Sequence, residues 1–311
     1  MLHLRVICPP EATPEVLARL RGCPGTAHLV LNRGVALEPT GDLVEADVAR
    51  ESADELLEAL GELGIDHSGG ITLEPLDTVL SDAADTAQRE APGDPADAIV
   101  WEELIARTGD DSRPTVTFFA FLTLACLIAV VGIVTNSPVT VVGAMAVGPE
   151  FGPLAALAIG LVLRRRDLVR QASLALGLGF PLAILATAAG VLVCEATGLI
   201  SVTALDTADQ VDFIYQVGPF SLIVALLAGA AGMLSLTSAK SAALVGVFIS
   251  VTTVPAAAFA VVAATTGDWA RAGESLLQLG LNLVGIVVAA AGVLMLRTRR
   301  SAGLRRLPVG G

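Results

Sequence analysis

Charge is the first thing this chain is short of. Only 16% of its 311 residues are charged, 54% are hydrophobic, and mean hydropathy is +0.72. Soluble domains carry roughly 25% charged residues. The shortage excludes a chain that is soluble throughout and points to a membrane class. Cysteine is also scarce. Cys8, Cys23, Cys126 and Cys194 form no CxxC pair, and two lie in apolar runs. That excludes a disulfide framework and a cysteine zinc site. The three histidines, His3, His28 and His67, are scattered without HExxH-like spacing. No metal and no cofactor is therefore expected. The N-terminus has no basic stretch leading into an apolar one, so no cleavable signal is visible. The soluble part is expected to stay on the side where the chain is made.

What charge there is, is unevenly divided. Residues 1–113 hold 23 Asp and Glu against 8 Arg, while residues 114–311 hold 8 acidic against 11 basic groups. An acidic soluble domain is thus followed by a hydrophobic one. The acidity argues against nucleic acid as a partner.

The soluble part, residues 1–80, reads as alternating elements. Leu2–Cys8 alternates as a half-buried strand does. "TPEVLARLRG" is a helix with Thr13 as cap, Pro14 at its first position and Gly22 at its end. "TAHLVLN" and "GDLVEADVA" are two strands. "SADELLEALGELG" is a helix with Ser52 as cap, Glu55 three residues on and Gly64 at its end. "GGITLEPL" is the last strand. The order βαββαβ predicts a ferredoxin-like split βαβ sandwich, a fold that does not name a function. No phosphate loop, catalytic triad or paired carboxylates are legible here. Asp54, Glu55, Glu58 and Glu62 read as a solvated helix face. Residues 81–113 read as a polar linker, Ser81 to Gly93, and a helix capped by Asp94. On that helix Trp101 suits either a membrane interface or packing on the soluble domain.

Six apolar segments follow within residues 114–298: about 115–135, 139–163, 168–194, 219–234, 242–266 and 275–296. Each is near the roughly 20 residues a span needs. A tail, residues 299–311, is left. With six spans, Arg164–Arg170, the basic C-terminal stretch, Arg107, Arg113 and Lys240 fall on one side; only Arg271 breaks the pattern. Basic residues favour the cytoplasm. A multi-pass plasma-membrane protein with both termini cytoplasmic is expected. A shift of 102 residues aligns Pro153 with Pro255, Ser173-Leu174 with Ser275-Leu276 and one AAGVL with another. Three spans per half is an odd number, so such a 3+3 repeat is inverted in the membrane, as in many secondary transporters.

"GIVTNSPVTVVGAMAVGPEFGPL" (Gly132–Leu154) and "SAALVGVFISVTTVPAAAFAVVAATTGDWARAGESLLQLGLNLVGIV" (Ser241–Val287) resemble the bacterial and archaeal membrane family catalogued as domain of unknown function 389. The likeness covers about Pro114 to Leu296. It implies a polytopic membrane protein, often with a variable soluble region outside the core, and no activity. Glu150 departs from the commoner form, which has an apolar residue between the two prolines.

Function therefore rests on the polar residues of the spans. Glu150 lies about a dozen residues into the second span, roughly 18 Å deep. An ionised carboxylate there is costly and calls for a partner or water. Pro149 and Pro153 remove backbone donors, and Gly148 and Gly152 permit unusual backbone angles. The fifth span carries Thr252 and Thr253 ahead of Pro255. Breaks at equivalent depth would converge on one midplane site. Glu150, Thr252, Thr253 and Asn282 are the candidate solute or ion ligands; a structural kink with Glu150 bonded between helices is the other reading. Asn136 and Ser137 suit helix capping before Pro138, with a gate or ligand contact as the alternative. Lys240 suits an interface anchor. A transporter or channel for a small solute or ion is expected, in contact with the lipid bilayer, with a homo-oligomer left open. A membrane-anchored sensor whose N-terminal domain binds a small ligand is the alternative. No cluster or Ser–His pair of known spacing lies in the spans, which argues against an enzyme.

Overall fold

The computed structural model describes residues 1–95, 98–198, 219–238 and 253–304. The chain divides into two compact units, one built on Met1–Leu104, the other on Ile105–Leu236 and the helices that follow.

The first unit runs β1 (Leu2–Cys8), α1 (Thr13–Gly22), β2 (Thr26–Leu37), β3 (Thr40–Val48), α2 (Arg50–Glu62), the short α3 (Ile65–Ser68), β4 (Gly70–Pro75) and α4 (Asp82–Glu90). The four strands form one sheet in the order β2-β3-β1-β4, with every neighbouring pair antiparallel. The alternation in β1 does what its pattern demands. Leu2, Leu4, Val6 and Cys8 are buried, and with Val16, Leu20, Leu56 and Leu60 of the helices they make the core.

Four local expectations change. Thr13 does not cap α1; Ala12 takes that position. The Thr13 hydroxyl instead donates to Asp42 Oδ2 at 2.8 Å, a buried bond that ties helix to strand. Ser52 lies inside α2, with Ala49 at the cap, and donates to the Pro24 carbonyl. The expected linker from Ser81 contains a helix, α4. Ser81 caps it by accepting from the Ala84 N–H, and Asp82 and Asp85 sit in the first turn, where the helix dipole favours them. The next helix, α5 (Trp101–Asp111), begins later than expected. Its start is held by α2: the Trp101 N–H donates to Asp54, and Arg50 pairs with Glu103 at 2.9 Å.

The second unit holds α6 (Val116–Val134), α7 (Pro138–Val147), α8 (Phe151–Val162), α9 (Arg166–Ala196), α10 (Pro219–Thr237), α11 (Val254–Thr265) and α12 (Trp269–Leu304). Four of them, α6, α9, α10 and α12, are long and apolar enough to cross a membrane. The expected second span is two helices, α7 and α8, bent by 54° at Gly148–Glu150. Of the expected fifth span, α11 is described. Six uninterrupted spans are therefore not what these residues form. The long helices present Leu174, Leu178, Leu182, Leu185, Leu222 and Leu277 outward, as a lipid-facing surface does. By contrast α11 is buried from Val254 through Ala263. A helix apolar all round belongs inside, and α11 packs on α6, α7, α9 and α12. At 12 residues, α8 and α11 are each about 18 Å long. Neither crosses a hydrocarbon core of about 30 Å alone.

The corners between helices share one geometry. The Ser137 N–H bonds the Gly132 carbonyl, Arg165 bonds Gly160, and Asp268 bonds Ala263, at 2.8, 2.8 and 2.9 Å. Each corner turns through one left-handed residue, Asn136, Arg164 and Gly267 respectively. Only a small residue fits at its start. A Cβ on Gly132 would lie 2.6 Å from Val141, and one on Gly160 2.9 Å from Val169.

Element bounds also recur. Val116–Val134 and Pro219–Thr237, then Phe151–Val162 and Val254–Thr265, then the starts Arg166 and Trp269, are displaced alike. The displacement is the 103 residues that separate Glu150 from Thr253. The sequence shift of 102 differs from this displacement by one residue. Caps and corners fix helix ends, whereas Ala- and Leu-rich runs match almost as well one residue off.

Candidate functional site

The break between α7 and α8 fixes Glu150. Pro149 has no N–H to continue α7, so the helix ends at Val147, and α8 restarts with Glu150 in the N-cap position. Pro153 follows in the first turn of α8, where the missing N–H costs nothing. The glycines do not act as expected. Neither Gly148 nor Gly152 has a positive φ. Gly152 instead makes room for Asp111, whose carbonyl would lie 2.9 Å from a Cβ there.

Thr253 stands at the matching place, the N-cap position of α11, with Pro255 just inside the helix. Its hydroxyl donates to Glu150 Oε1 at 2.6 Å, and both residues are 0% exposed. The structure thus joins Glu150 and Thr253, the first and third of the candidate ligands. A hydrogen bond to a buried carboxyl is among the stronger kinds. The N-terminal ends of α8 and α11 carry the positive end of each helix dipole toward this carboxyl. The first-turn N–H groups of each have no partner within their own helix. The arrangement can hold a negative charge at the carboxyl, exchange its proton, or pair it with a cation.

The other candidates divide. Thr252 and Lys240 lie outside the described residues. Asn282, 1% exposed, belongs to a second polar set: Ser221 of α10 donates to Asn282 Oδ1 at 3.2 Å, and Gln278 donates to Ser221 at 3.0 Å. Sequence reasoning missed Ser221 and Gln278. Their signal was the i, i+4 spacing of Gln278 and Asn282 on one face of an apolar helix. Ser137 caps α7, accepting from the Thr140 N–H at 3.3 Å, with Pro138 at the first position. Asn136 is the left-handed corner residue at φ 50. Ser137 thus caps the helix, whereas Asn136 supplies the turn's backbone angle and its Oδ1 has no hydrogen-bond partner among the described residues.

A second missed constellation lies in the first unit. His3 Nδ1 and His28 Nδ1 lie 2.8 and 2.6 Å from the two oxygens of Asp47, and His28 Nε2 lies 2.8 Å from Ser81 Oγ. A register shift between Ala27 and Val30 puts His28 at φ 51 and aims its ring at Asp47. Burial works against the Asp47 charge, yet the bonds from His28 and His3 outweigh it and hold the carboxyl below its ordinary range. Glu45 lies farther off, 3.9 Å from His3. Scattered histidines in the sequence became neighbours through strand pairing.

Among known proteins, residues 145–288 match the family model described as Domain of unknown function (DUF389). The match begins in α7 and ends in α12, and so contains both Glu150 and Thr253. No curated protein and no solved structure matches the chain.

Proposed function

For a chain that belongs, through residues 145–288, to the domain of unknown function 389 family, we propose a transporter or channel for a small solute or ion, with its site where two interrupted helices meet. One observation carries the reading: the buried bond from Thr253 to Glu150 at the starting ends of α8 and α11. Interrupted helices at bilayer depth are tolerated where they line a cavity or are buried in protein. Their free ends are the recurrent ion and substrate ligands of secondary transporters.

The reading includes an inverted repeat, which the recurring helix bounds favour. Bounds displaced by 103 residues divide the second unit into matching sets. Packing is reciprocal: α8 lies on α12, and α11 lies on α9. Equivalent residues that touch each other, as Glu150 and Thr253 do, are what a pseudo-two-fold axis demands of residues beside it. Three spans per half orient that axis in the membrane plane. The flanking arginines favour cytoplasmic termini at the plasma membrane. Glu150 then takes up and releases a proton or a cation as the two halves rock about it. The test is a screen of solutes and ions in proteoliposomes with Glu150→Gln beside the wild type. A variant that keeps every activity found defeats the coupling role.

The clamp of His3 and His28 on Asp47 favours a second, compatible reading, in which the first unit senses and gates. Its antiparallel strand order β2-β3-β1-β4 supports reading it as a ferredoxin-like split βαβ sandwich. A small ligand of this unit should raise the melting temperature of residues 1–104. A metabolite panel without any shift, across pH 5 to 8, would count against it.

A further inference from the structure

We propose that α10 and α12 carry a second polar site, built from Ser221, Ser275, Gln278 and Asn282, for a small uncharged solute bearing O–H or N–H groups. The proposal rests on the transport reading for its purpose, but on different residues.

Ser275, Gln278 and Asn282 recur along one face of α12 and are 0%, 3% and 1% exposed. Counted from Trp269, they lie roughly 9 to 20 Å along the helix, within bilayer depth. Gln278 Nε2 donates to Ser221, and Ser221 donates to Asn282. Two buried atoms stay open: Gln278 Oε1 and Ser275 Oγ have no hydrogen-bond partner among the described residues. Buried polar atoms are paired almost everywhere in folded proteins, and an unpaired one calls for an explanation.

The chain itself excludes packing as that explanation. Displaced by the same 103 residues, the equivalents of Ser221, Ser275, Gln278 and Asn282 are Phe118, Ala172, Ala175 and Gly179. All four are buried. Phe118 lies against Gly179, its ring 2.8 Å from where a Cβ would stand. The α6–α9 pair is therefore closed with hydrocarbon where the α10–α12 pair is closed with hydroxyls and amides. All four positions differ in the same sense. An apolar solution was at hand in this very fold, and only one half uses it.

The open atoms define the ligand. Gln278 Oε1 can only accept, whereas the Ser275 hydroxyl can accept or donate, so the pair suits a neutral group that donates to the amide oxygen and exchanges a bond with the hydroxyl. No charged side chain belongs to the set. A hard divalent cation takes about six oxygens or more, against the two open here. An N–H₂ group, or an O–H group that donates to Gln278 Oε1 and accepts from Ser275, satisfies the open atoms and leaves no net charge at bilayer depth. The solute class is therefore amide-like or alcohol-like.

The test uses the full chain in proteoliposomes with radiolabelled urea, acetamide and glycerol as probes. The variant is Ser275→Ala with Gln278→Ala, which copies the residues that already pack at Ala172 and Ala175. At least one probe should enter wild-type vesicles faster than protein-free ones, and the double variant should lose about tenfold of that excess for each hydrogen bond removed. Independently of folding in that variant, Gln278→Cys in a cysteine-free background should react with N-ethylmaleimide, while Ala175→Cys should not. Entry of every probe at the protein-free rate, an unchanged double variant, or equal reactivity of the two cysteines overturns the proposal. Glu150→Gln separates the two sites: it should abolish cation-coupled flux and leave probe entry through otherwise wild-type protein unchanged.

Discussion

Replacing Thr253 by valine keeps the shape of the side chain and removes its hydroxyl. In the structure that hydroxyl is 2.6 Å from a carboxyl oxygen, and both residues are fully buried. A hydrogen bond to a charged group contributes about 1.5–3 kcal/mol net, and leaving a buried carboxyl short of a donor costs at least as much. Taking about 2 kcal/mol and a unit of roughly 200 residues, the melting temperature of the detergent-solubilised protein should fall by about 4–8 °C. Thr253→Ser should restore most of it, because the donor returns. Glu150→Leu combined with Thr253→Val should be milder than the sum of the single changes, since both partners then become apolar. The resulting coupling energy should exceed about 1 kcal/mol. A Thr253→Val protein that melts like the wild type, or a coupling energy near zero, would refute the bond between the two helix ends.

Three further outcomes follow from packing, titration and capping. Gly229→Ala should destabilise the protein by about 1–3 kcal/mol. A Cβ there overlaps the backbone of Ile286, and thermal melting in detergent reads the loss. Asp47 is held below its ordinary range by His28 and His3 against the opposing effect of burial. A depressed folded value gives stability that is present above the unfolded value and lost as pH falls through the folded one. Residues 1–104 should therefore lose stability below about pH 4, and Asp47→Asn should be less stable at pH 7 and flatter over that acid range in a urea titration. Ser81→Ala should cost about 1 kcal/mol through loss of the α4 cap, seen as lower helicity at a fixed urea concentration.

Most of the first unit was legible because its signals are local. Alternation in Leu2–Cys8, Pro14 at a helix start and Gly64 after a helix end each act within a few residues. The misassigned caps have a common cause. Thr13 and Ser52 were drawn to distant oxygens, Asp42 and the Pro24 carbonyl, which no local pattern announces. The helix at Asp82–Glu90 was hidden by its polarity, since only Ala84 and Ala87 face inward. In the second unit, Glu150 and the break around it stood out because prolines and a carboxyl are costly in an apolar run. That the Thr253 hydroxyl reaches Glu150 depended on packing between helices 103 residues apart, which no local pattern announces. The His3–Asp47–His28 cluster depended on strand pairing 44 and 19 residues apart, and neither separation carries a sequence signal.

The most direct measurement of the central claim is cation entry into proteoliposomes under an imposed membrane potential, following protons with an entrapped pH dye and sodium with a radiotracer. Wild-type protein should accelerate entry of one of the two over protein-free vesicles, and Glu150→Gln, reconstituted in equal amount and folded, should bring it back to the protein-free rate. Glu150→Gln vesicles that conduct as the wild type does would contradict the account.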